Sequence, residues 1–174
     1  MSKNVDDLLK WLPTIAMFGG LEERTLRRIV DMMGEHHFQP EQEVCKQGDS
    51  GRAMFLVREG EVMICRDNEL GHRVKVVRMG PGEFFGEMTL IDIQKRSASV
   101  VVQQPSLLYS LSNRDLYKLY TEDVPGYVMV LQNLCRELSR RLRATNARLQ
   151  SLAEDSDDAE RTLIRPAVKI GKPL

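Results

Sequence analysis

The stretch MFLVREGEVMIC, residues 54–65, combines β-branched and aromatic residues with a Glu59–Gly60 pair in its middle. Such residues favour strands, and a polar residue followed by glycine between two apolar runs is typical of a turn. Other strand-like stretches are Val44-Cys45, HRVKVVRM (72–79) and SASVVVQQPSLLYSLS (97–112). Further turn signals lie at 48–51, 67–68 and 80–82. Many short strands with regular glycines predict a sandwich, a jelly roll or a small barrel.

Helical patterns flank this β-rich middle. The predicted helices are 4–17, 21–33, 113–120 and a long one from about 127 to 153. Pro13 ends or kinks the first helix, because proline lacks the N–H that a helix interior needs. Residues 123–126, Asp-Val-Pro-Gly, indicate a break before the long helix. The order of helices, strands and helices predicts the α+β class, with a long C-terminal helix.

The long helix carries apolar residues in alternating steps of three and four. The a positions are Cys135, Leu142 and Leu149, and the d positions are Leu131, Leu138, Thr145 and Leu152. This spacing marks a coiled-coil seam and predicts a homodimer, although the helix could instead pack on its own barrel. Thr145 is the polar exception. Its hydroxyl can bond back to the carbonyl four residues earlier, or it can meet a polar ligand beside the amide of Asn146.

Composition excludes several classes of function. Lys plus Arg and Asp plus Glu number 25 each, so bulk electrostatics do not favour nucleic acid. The N-terminus lacks a signal-peptide core, and no apolar run approaches the roughly 20 residues of a membrane helix. We therefore expect a cytoplasmic protein that binds no membrane. The three cysteines lack zinc-ligand spacing, so neither a metal site nor a disulfide framework is expected.

The stretch GEMTLIDIQKRSASV, residues 86–100, suits a small anion that also carries a hydroxyl. Gly86 permits close backbone approach, and residues 87–90 are long enough for one helical turn. Glu87 supplies an acceptor, and Arg96 is a forked donor for phosphate oxygens. Ser97 and Ala98 are small enough for their amides to approach an anion. A nucleoside 3′,5′-cyclic monophosphate fits these demands, but the residues alone do not single it out.

Three blocks of sequence resemble the cyclic nucleotide-binding domain family, which includes bacterial catabolite activators and regulatory subunits of cyclic-nucleotide-dependent kinases. The blocks are QGDSGRAMFLVREGEVMI (47–64), MGPGEFFGEM (79–88) and FGEMTLIDIQKRSASV (85–100). The resemblance covers about residues 5–153. It implies an eight-stranded jelly roll flanked by helices, forming one domain over 1–153. Residues 154–174 are expected to be a flexible tail.

The resemblance also implies roles for individual residues. Glu87 would bind the ribose 2′-OH, and Arg96 would pair with the cyclic phosphate, helped by Ser97 and by amides near Gly86. In RRLRATNARLQSLA (140–153), Thr145 would contact the purine, and Asn146 would reach the nucleotide of the other subunit. The full predicted ligand site is Gly86, Glu87, Met88, Thr89, Arg96, Ser97, Ala98, Thr145 and Asn146.

We therefore predict a dimeric receptor for a cyclic nucleotide that relays its state to a protein partner. Ser97 and Thr145 resemble cAMP-binding activators, so cAMP is favoured. The alternatives are a scaffold of the same fold that binds no ligand, or a sensor of cGMP or a cyclic dinucleotide. An enzyme is not expected, because Glu87 has no evident acid or base partner. About 20 residues follow Ala153, too few for a winged helix-turn-helix, so DNA binding is not expected.

Overall fold

The computed structural model describes residues 4–92 and 94–155 of the chain. The helices are α1 (Val5–Trp11), α2 (Glu23–Met32), α3 (Met88–Ile91), α4 (Asn113–Glu122) and α5 (Val124–Asp155). The strands are β1 (Gly34–Phe38), β2 (Glu43–Cys45), β3 (Ala53–Asp67), β4 (Arg73–Met79), β5 (Phe84–Phe85) and β6 (Ser99–Ser112). The described residues divide into two units, the first ending at Cys135 and the second beginning at Arg136. The expected flexible tail lies, beyond Asp155, outside the described residues and stays a prediction.

The strands of the first unit form one antiparallel sheet in the order β1-β6-β3-β4, with β2 added to β6 and β5 added to β3. Its core is a cluster of buried side chains: Val57, Val62, Phe85, Val100, Val102 and Leu108. Half-buried apolar side chains surround this cluster. The sheet with flanking helices confirms the predicted α+β jelly-roll class.

The predicted turn at Glu59–Gly60 is wrong. The chain continues as the single strand β3, which pairs with β6 on both sides of the pair, at Val57 and at Val62. Register shifts absorb the extra residues, and Gly60 adopts a φ of +84°. A bulge with a glycine at positive φ bends a strand without ending it. Six strands are therefore present in the described residues instead of eight, because β3 and β6 each run through their bulges.

The helices follow the sequence pattern but differ at their ends. α1 ends at Trp11, and Pro13 lies in a 3₁₀ turn, Leu12–Thr14, so the predicted stop is confirmed. α5 begins at Val124, three residues before the predicted start. The cause is Asp123, whose carboxylate accepts from the Gly126 N–H at 3.1 Å and so caps the first turn. Pro125 fits in that first turn, where no N–H is needed.

Asp123 also joins two helices of the first unit. Its carboxylate accepts from the Thr25 hydroxyl of α2 at 2.5 Å. This hydrogen bond, with the one from Gly126, holds the pKa of Asp123 below its usual range although burial opposes it. The carboxylate is therefore ionised near neutral pH, and it fixes the junction between α4 and α5 against α2.

The second unit continues α5 from Arg136 to Asp155. Three leucines of the predicted seam are exposed there: Leu142 (61%), Leu149 (59%) and Leu152 (58%). The Thr145 hydroxyl donates to the Arg141 carbonyl at 2.9 Å, which is the first of the two alternatives for this residue. Along the described part of the chain, no helix is long and apolar enough to cross a bilayer.

Candidate ligand-binding site

The fold brings Arg96 next to Gly86, at the end of β5. Gly86 has a φ of +74°, which favours glycine. A β-carbon on Gly86 would overlap Nη1 of Arg96. The two residues are neighbours in space although nine residues of chain separate them, so two members of the predicted ligand site lie side by side.

The backbone of Arg96 is held by the loop before β3. The Arg96 N–H donates to the Asp49 carbonyl at 2.8 Å, and the Arg96 carbonyl accepts from the Gly48 N–H at 2.9 Å. This pair of bonds fixes the position from which the side chain enters the roll. Gly48 and Asp49 of the predicted turn therefore hold the backbone of Arg96 in addition to forming the turn.

The guanidinium of Arg96 is buried, with 8% of the residue exposed. Its Nη2 donates to the Ala53 carbonyl at 2.6 Å, and its Cζ lies 5.9 Å from the centre of the Phe55 ring. Nη1 is buried and has no hydrogen-bond partner among the residues that the structure describes. A buried N–H of a charged group without an acceptor is costly, so this atom marks a place for an anionic oxygen.

The turn after Gly86 is the predicted single helical turn, α3. Glu87, just before it, is buried with 7% exposed. Thr89 is also buried, and its hydroxyl and N–H both bind the Gly86 carbonyl, at 2.8 and 3.3 Å. We call residues 86–98 the cassette. Thr89 therefore stabilises the start of the cassette through these two bonds to Gly86. Met88 and Ser97 are exposed and Ala98 is half-buried.

Six half-buried apolar side chains pack against the core cluster, and one of them, Phe55, lies near the Arg96 guanidinium. We call these side chains the apolar wall: Phe38, Val44, Cys45, Phe55, Ile64 and Met79. The Cys45 thiol lies 3.9 Å from the Ala98 carbonyl. Burial raises the pKa of Cys45, and the positive charge of Arg96 partly offsets this effect. Cys45 thus lies beside the cassette as a protonated thiol at neutral pH.

The arrangement suits a ligand with one anionic group and a flat or apolar body. Arg96 supplies one forked cation, and Glu87 places a carboxylate one residue from Gly86. A carboxylate this near would oppose a second negative charge on the ligand, but it can accept from a ligand hydroxyl. The half-buried wall can cover an apolar surface. Among the described residues, no cluster of His, Cys, Asp or Glu could hold a metal ion.

Two contributors to the site were missed in the sequence. A β-carbon on Gly51 would lie 2.7 Å from Nε of Arg96 and 2.7 Å from Cγ2 of Thr89, so this glycine makes room for both. The Ala53 carbonyl, which fixes Nη2, also went unnoticed. Gly51 belongs to the GDSG turn (48–51) and to the first block of the family resemblance, and both signals indicated a turn without indicating what packs over it.

Thr145 and Asn146 belong to the second unit, residues 136–174. Their predicted contacts with a purine and with a partner's nucleotide stay predictions. The other seven predicted site residues lie within one segment of the first unit, 86–98, around Arg96.

Comparison with known proteins gives consistent results. A model of the cyclic nucleotide-binding domain family matches residues 35–123. The chain is 37% identical to the cyclic AMP receptor protein of Thermus thermophilus over 107 residues, which is 62% of this chain and 48% of that protein. It is 30% identical to a cAMP-dependent protein kinase regulatory subunit of Yarrowia lipolytica, over 68% of this chain and 30% of that one. The chain thus spans half or less of each relative.

A solved structure confirms the fold. The crystal structure of a cyclic nucleotide-binding domain from Methylobacillus flagellatus superposes with a TM-score of 0.76 at 26% identity. The superposition covers 92% of this chain and 86% of that one.

Proposed function

The chain belongs to the cyclic nucleotide-binding domain family, and we propose that it is a cAMP receptor whose ligand state is relayed to a protein partner. The observation that carries this proposal is the buried Nη1 of Arg96, which lies beside Gly86 and has no acceptor among the described residues. The cyclic phosphate would accept from this atom. Relatives named for cAMP support the choice of nucleotide.

The charges around the cassette favour a 3′,5′-cyclic nucleotide over other nucleotides. Its phosphate carries one negative charge, which Arg96 balances, and Glu87 would accept from the free 2′-OH. A nucleotide with a terminal phosphate brings a second negative charge towards Glu87 and is disfavoured. The base would lie against the half-buried apolar wall that includes Phe55.

The function can be tested through Cys45, because a ligand on Arg96 and Ala98 would cover its thiol. We expect cAMP to slow the alkylation of Cys45 by iodoacetamide, measured by mass spectrometry in mildly alkaline buffer, because burial raises the pKa of this thiol. If only the free protein reacts, cAMP at 100 times its Kd slows the reaction about 100-fold. Comparing the half-effect concentrations of cAMP and cGMP identifies the preferred nucleotide.

The chain supplies its own controls for this experiment. Cys65 is buried and should react slowly with and without nucleotide, so it reports any unfolding during the labelling. 5′-AMP, with its second negative charge, should not protect Cys45 at the same concentration. Unchanged labelling of Cys45 in millimolar cAMP and cGMP, with no heat of binding in calorimetry, would refute the receptor proposal.

We further propose that the protein acts as a homodimer through α5. The support is the seam of leucines at a and d positions, of which Leu142, Leu149 and Leu152 are more than half exposed in the single chain. Burial of such a seam in a parallel pair of helices is a common solution for this pattern. The partner that reads the dimer and the cytoplasmic location stay predictions.

Leu149→Glu is expected to disrupt this dimer. A leucine lost from a packed seam costs about 2–5 kcal/mol, so the dimer Kd should rise by at least about 30-fold. Sedimentation velocity over a range of concentrations measures the change. Ala147→Glu, which introduces the same charge at an exposed position off the seam, should leave the dimer intact. A wild-type protein that sediments as a monomer at high micromolar concentration would rule the dimer out.

A further inference from the structure

Asn113, the first residue of α4, joins this helix to the cassette. Its side-chain Nδ2 donates to the Thr89 carbonyl of α3 at 2.7 Å. Its backbone N–H donates to the Arg52 carbonyl at 3.0 Å. One residue at the start of α4 therefore holds the carbonyls of two separate segments of the first unit.

Both of these segments border Arg96. Thr89 is bound to the Gly86 carbonyl through its hydroxyl and its N–H. Arg52 follows Gly51, where a β-carbon would lie 2.7 Å from both Arg96 and Thr89. Because these segments are closely packed, a shift of the Arg96 guanidinium towards a ligand would displace both carbonyls that Asn113 binds, those of Thr89 and Arg52.

The remaining contact between α3 and α4 is loosely packed. A cavity of about 310 Å³ lies there, lined by Leu90, Asn113, Leu116, Tyr117, Tyr120 and Tyr127. Tyr117 and Tyr120 are 66% and 47% exposed. Side chains around an open cavity can move relative to one another without large packing losses, so apolar contact alone would transmit little. The Asn113–Thr89 hydrogen bond is the directional link between the two helices.

α4 is firmly built at its two ends. Ser112 and Asp115 form a capping box at its start, with the Ser112 N–H donating to Asp115 at 2.8 Å and the Asp115 N–H donating to Ser112 at 3.2 Å. At its end, Asp123 connects it to Thr25 and to the first turn of α5. A displacement applied at Asn113 would therefore move α4 as a unit instead of unwinding it.

We infer that Asn113 is a positioning residue that couples occupancy of the cassette to the placement of α4. This inference rests on the proposed function, because it takes a cyclic nucleotide as the ligand. The group that makes the connection is the side-chain N–H₂ of Asn113, which donates to the Thr89 carbonyl. Asn113 Oδ1 is buried and has no partner among the described residues, so the amide acts there through the bond that Nδ2 donates to the Thr89 carbonyl.

The experiment measures hydrogen–deuterium exchange of the full chain with and without saturating cAMP. In the wild type, cAMP should slow exchange in residues 86–92 and also change it in residues 113–122. In Asn113→Leu, which keeps the bulk and removes the donor, the first effect should remain. The second should be largely lost.

Two further variants separate the hydrogen bond from the size of the side chain. Asn113→Gln keeps an amide donor, has the cavity beside it to accommodate one more methylene, and should restore most of the α4 response. Arg114→Ala, a change of the exposed neighbour, should behave as the wild type. If Asn113→Leu proves too unstable to study, Asn113→Ala also removes the donor and gives the same comparison with a smaller side chain.

The outcomes distinguish this inference from the proposed function. Absence of cAMP protection at 86–92 in the wild type overturns the proposed function and this inference with it. Protection at 86–92 with an undiminished α4 response in Asn113→Leu overturns the inference alone. Equal loss of the response in Asn113→Leu and Asn113→Gln also overturns it, since shape and not the donor would then be responsible.

Discussion

Arg96→Ala is expected to weaken cAMP binding by about 2–5 kcal/mol, which is roughly 30-fold or more in Kd. The substitution leaves a buried phosphate with no cation to balance it, and buried charges depend on such partners. Isothermal titration calorimetry measures the change directly. Because Nη2 also binds the Ala53 carbonyl, the melting temperature of the variant should be recorded beside its affinity.

Two controls show whether the loss belongs to the site. Arg96→Lys keeps one positive charge but loses the fork that reaches Ala53 and the ligand together, so its affinity should fall between those of wild type and Arg96→Ala. Arg52→Ala removes an exposed arginine close to Gly51 and should bind cAMP normally. An Arg96→Ala protein that is folded and binds cAMP as tightly as the wild type would contradict the assignment of the phosphate site.

Gly60→Ala is expected to destabilise the fold by about 2–5 kcal/mol. Gly60 has a φ of +84°, which costs an alanine about 1–2 kcal/mol. The new β-carbon would also overlap Oγ of Ser106 and lie 2.5 Å from the Pro105 carbonyl oxygen, and overpacking of this kind costs a further 1–3 kcal/mol or so. Ser106 is buried and bonded to Glu61 and Gln104, so it cannot move away freely. Urea denaturation measures the loss.

Gly71→Ala is a matched control for this experiment. Gly71 has a similar φ of +76°, but a β-carbon there would meet no atom within 4 Å. Gly71→Ala should therefore lose only about 1–2 kcal/mol of stability, which is the cost of placing an alanine at a positive φ. If Gly60→Ala and Gly71→Ala lower the free energy of unfolding equally, the predicted clash of Gly60→Ala with Ser106 and Pro105 is contradicted.

Local patterns predicted the helices and the single turn after Gly86 well, because those patterns act between residues close together in the chain. The turn of α3, the stop at Pro13 and the small residues after Arg96 all belong to this class. The seam of α5 is also a local pattern, since its spacing of three and four residues is fixed by the helix itself. Its pairing with a second chain stays a prediction.

The two errors have different causes. Glu59–Gly60 resembles a turn in the sequence, but β6 pairs with β3 on both sides of it and keeps the strand continuous, and this partner cannot be read from the neighbouring residues. The start of α5 is set by a local cap, because the Asp123 carboxylate accepts from the Gly126 N–H three residues later. Only the bond from the Thr25 hydroxyl, 98 residues away in sequence, depends on the tertiary structure.

The identities of Gly86, Glu87 and Arg96 were enough to predict an anion cradle, because all three residues lie in one short segment of the sequence. How the cradle is built and connected depends on the assembled fold. Gly51 makes room for Arg96, the Ala53 carbonyl orients it, and Asn113 binds the carbonyl of Thr89. Close packing and hydrogen bonding between remote segments place these groups, and such contacts exist only once the roll has closed around them.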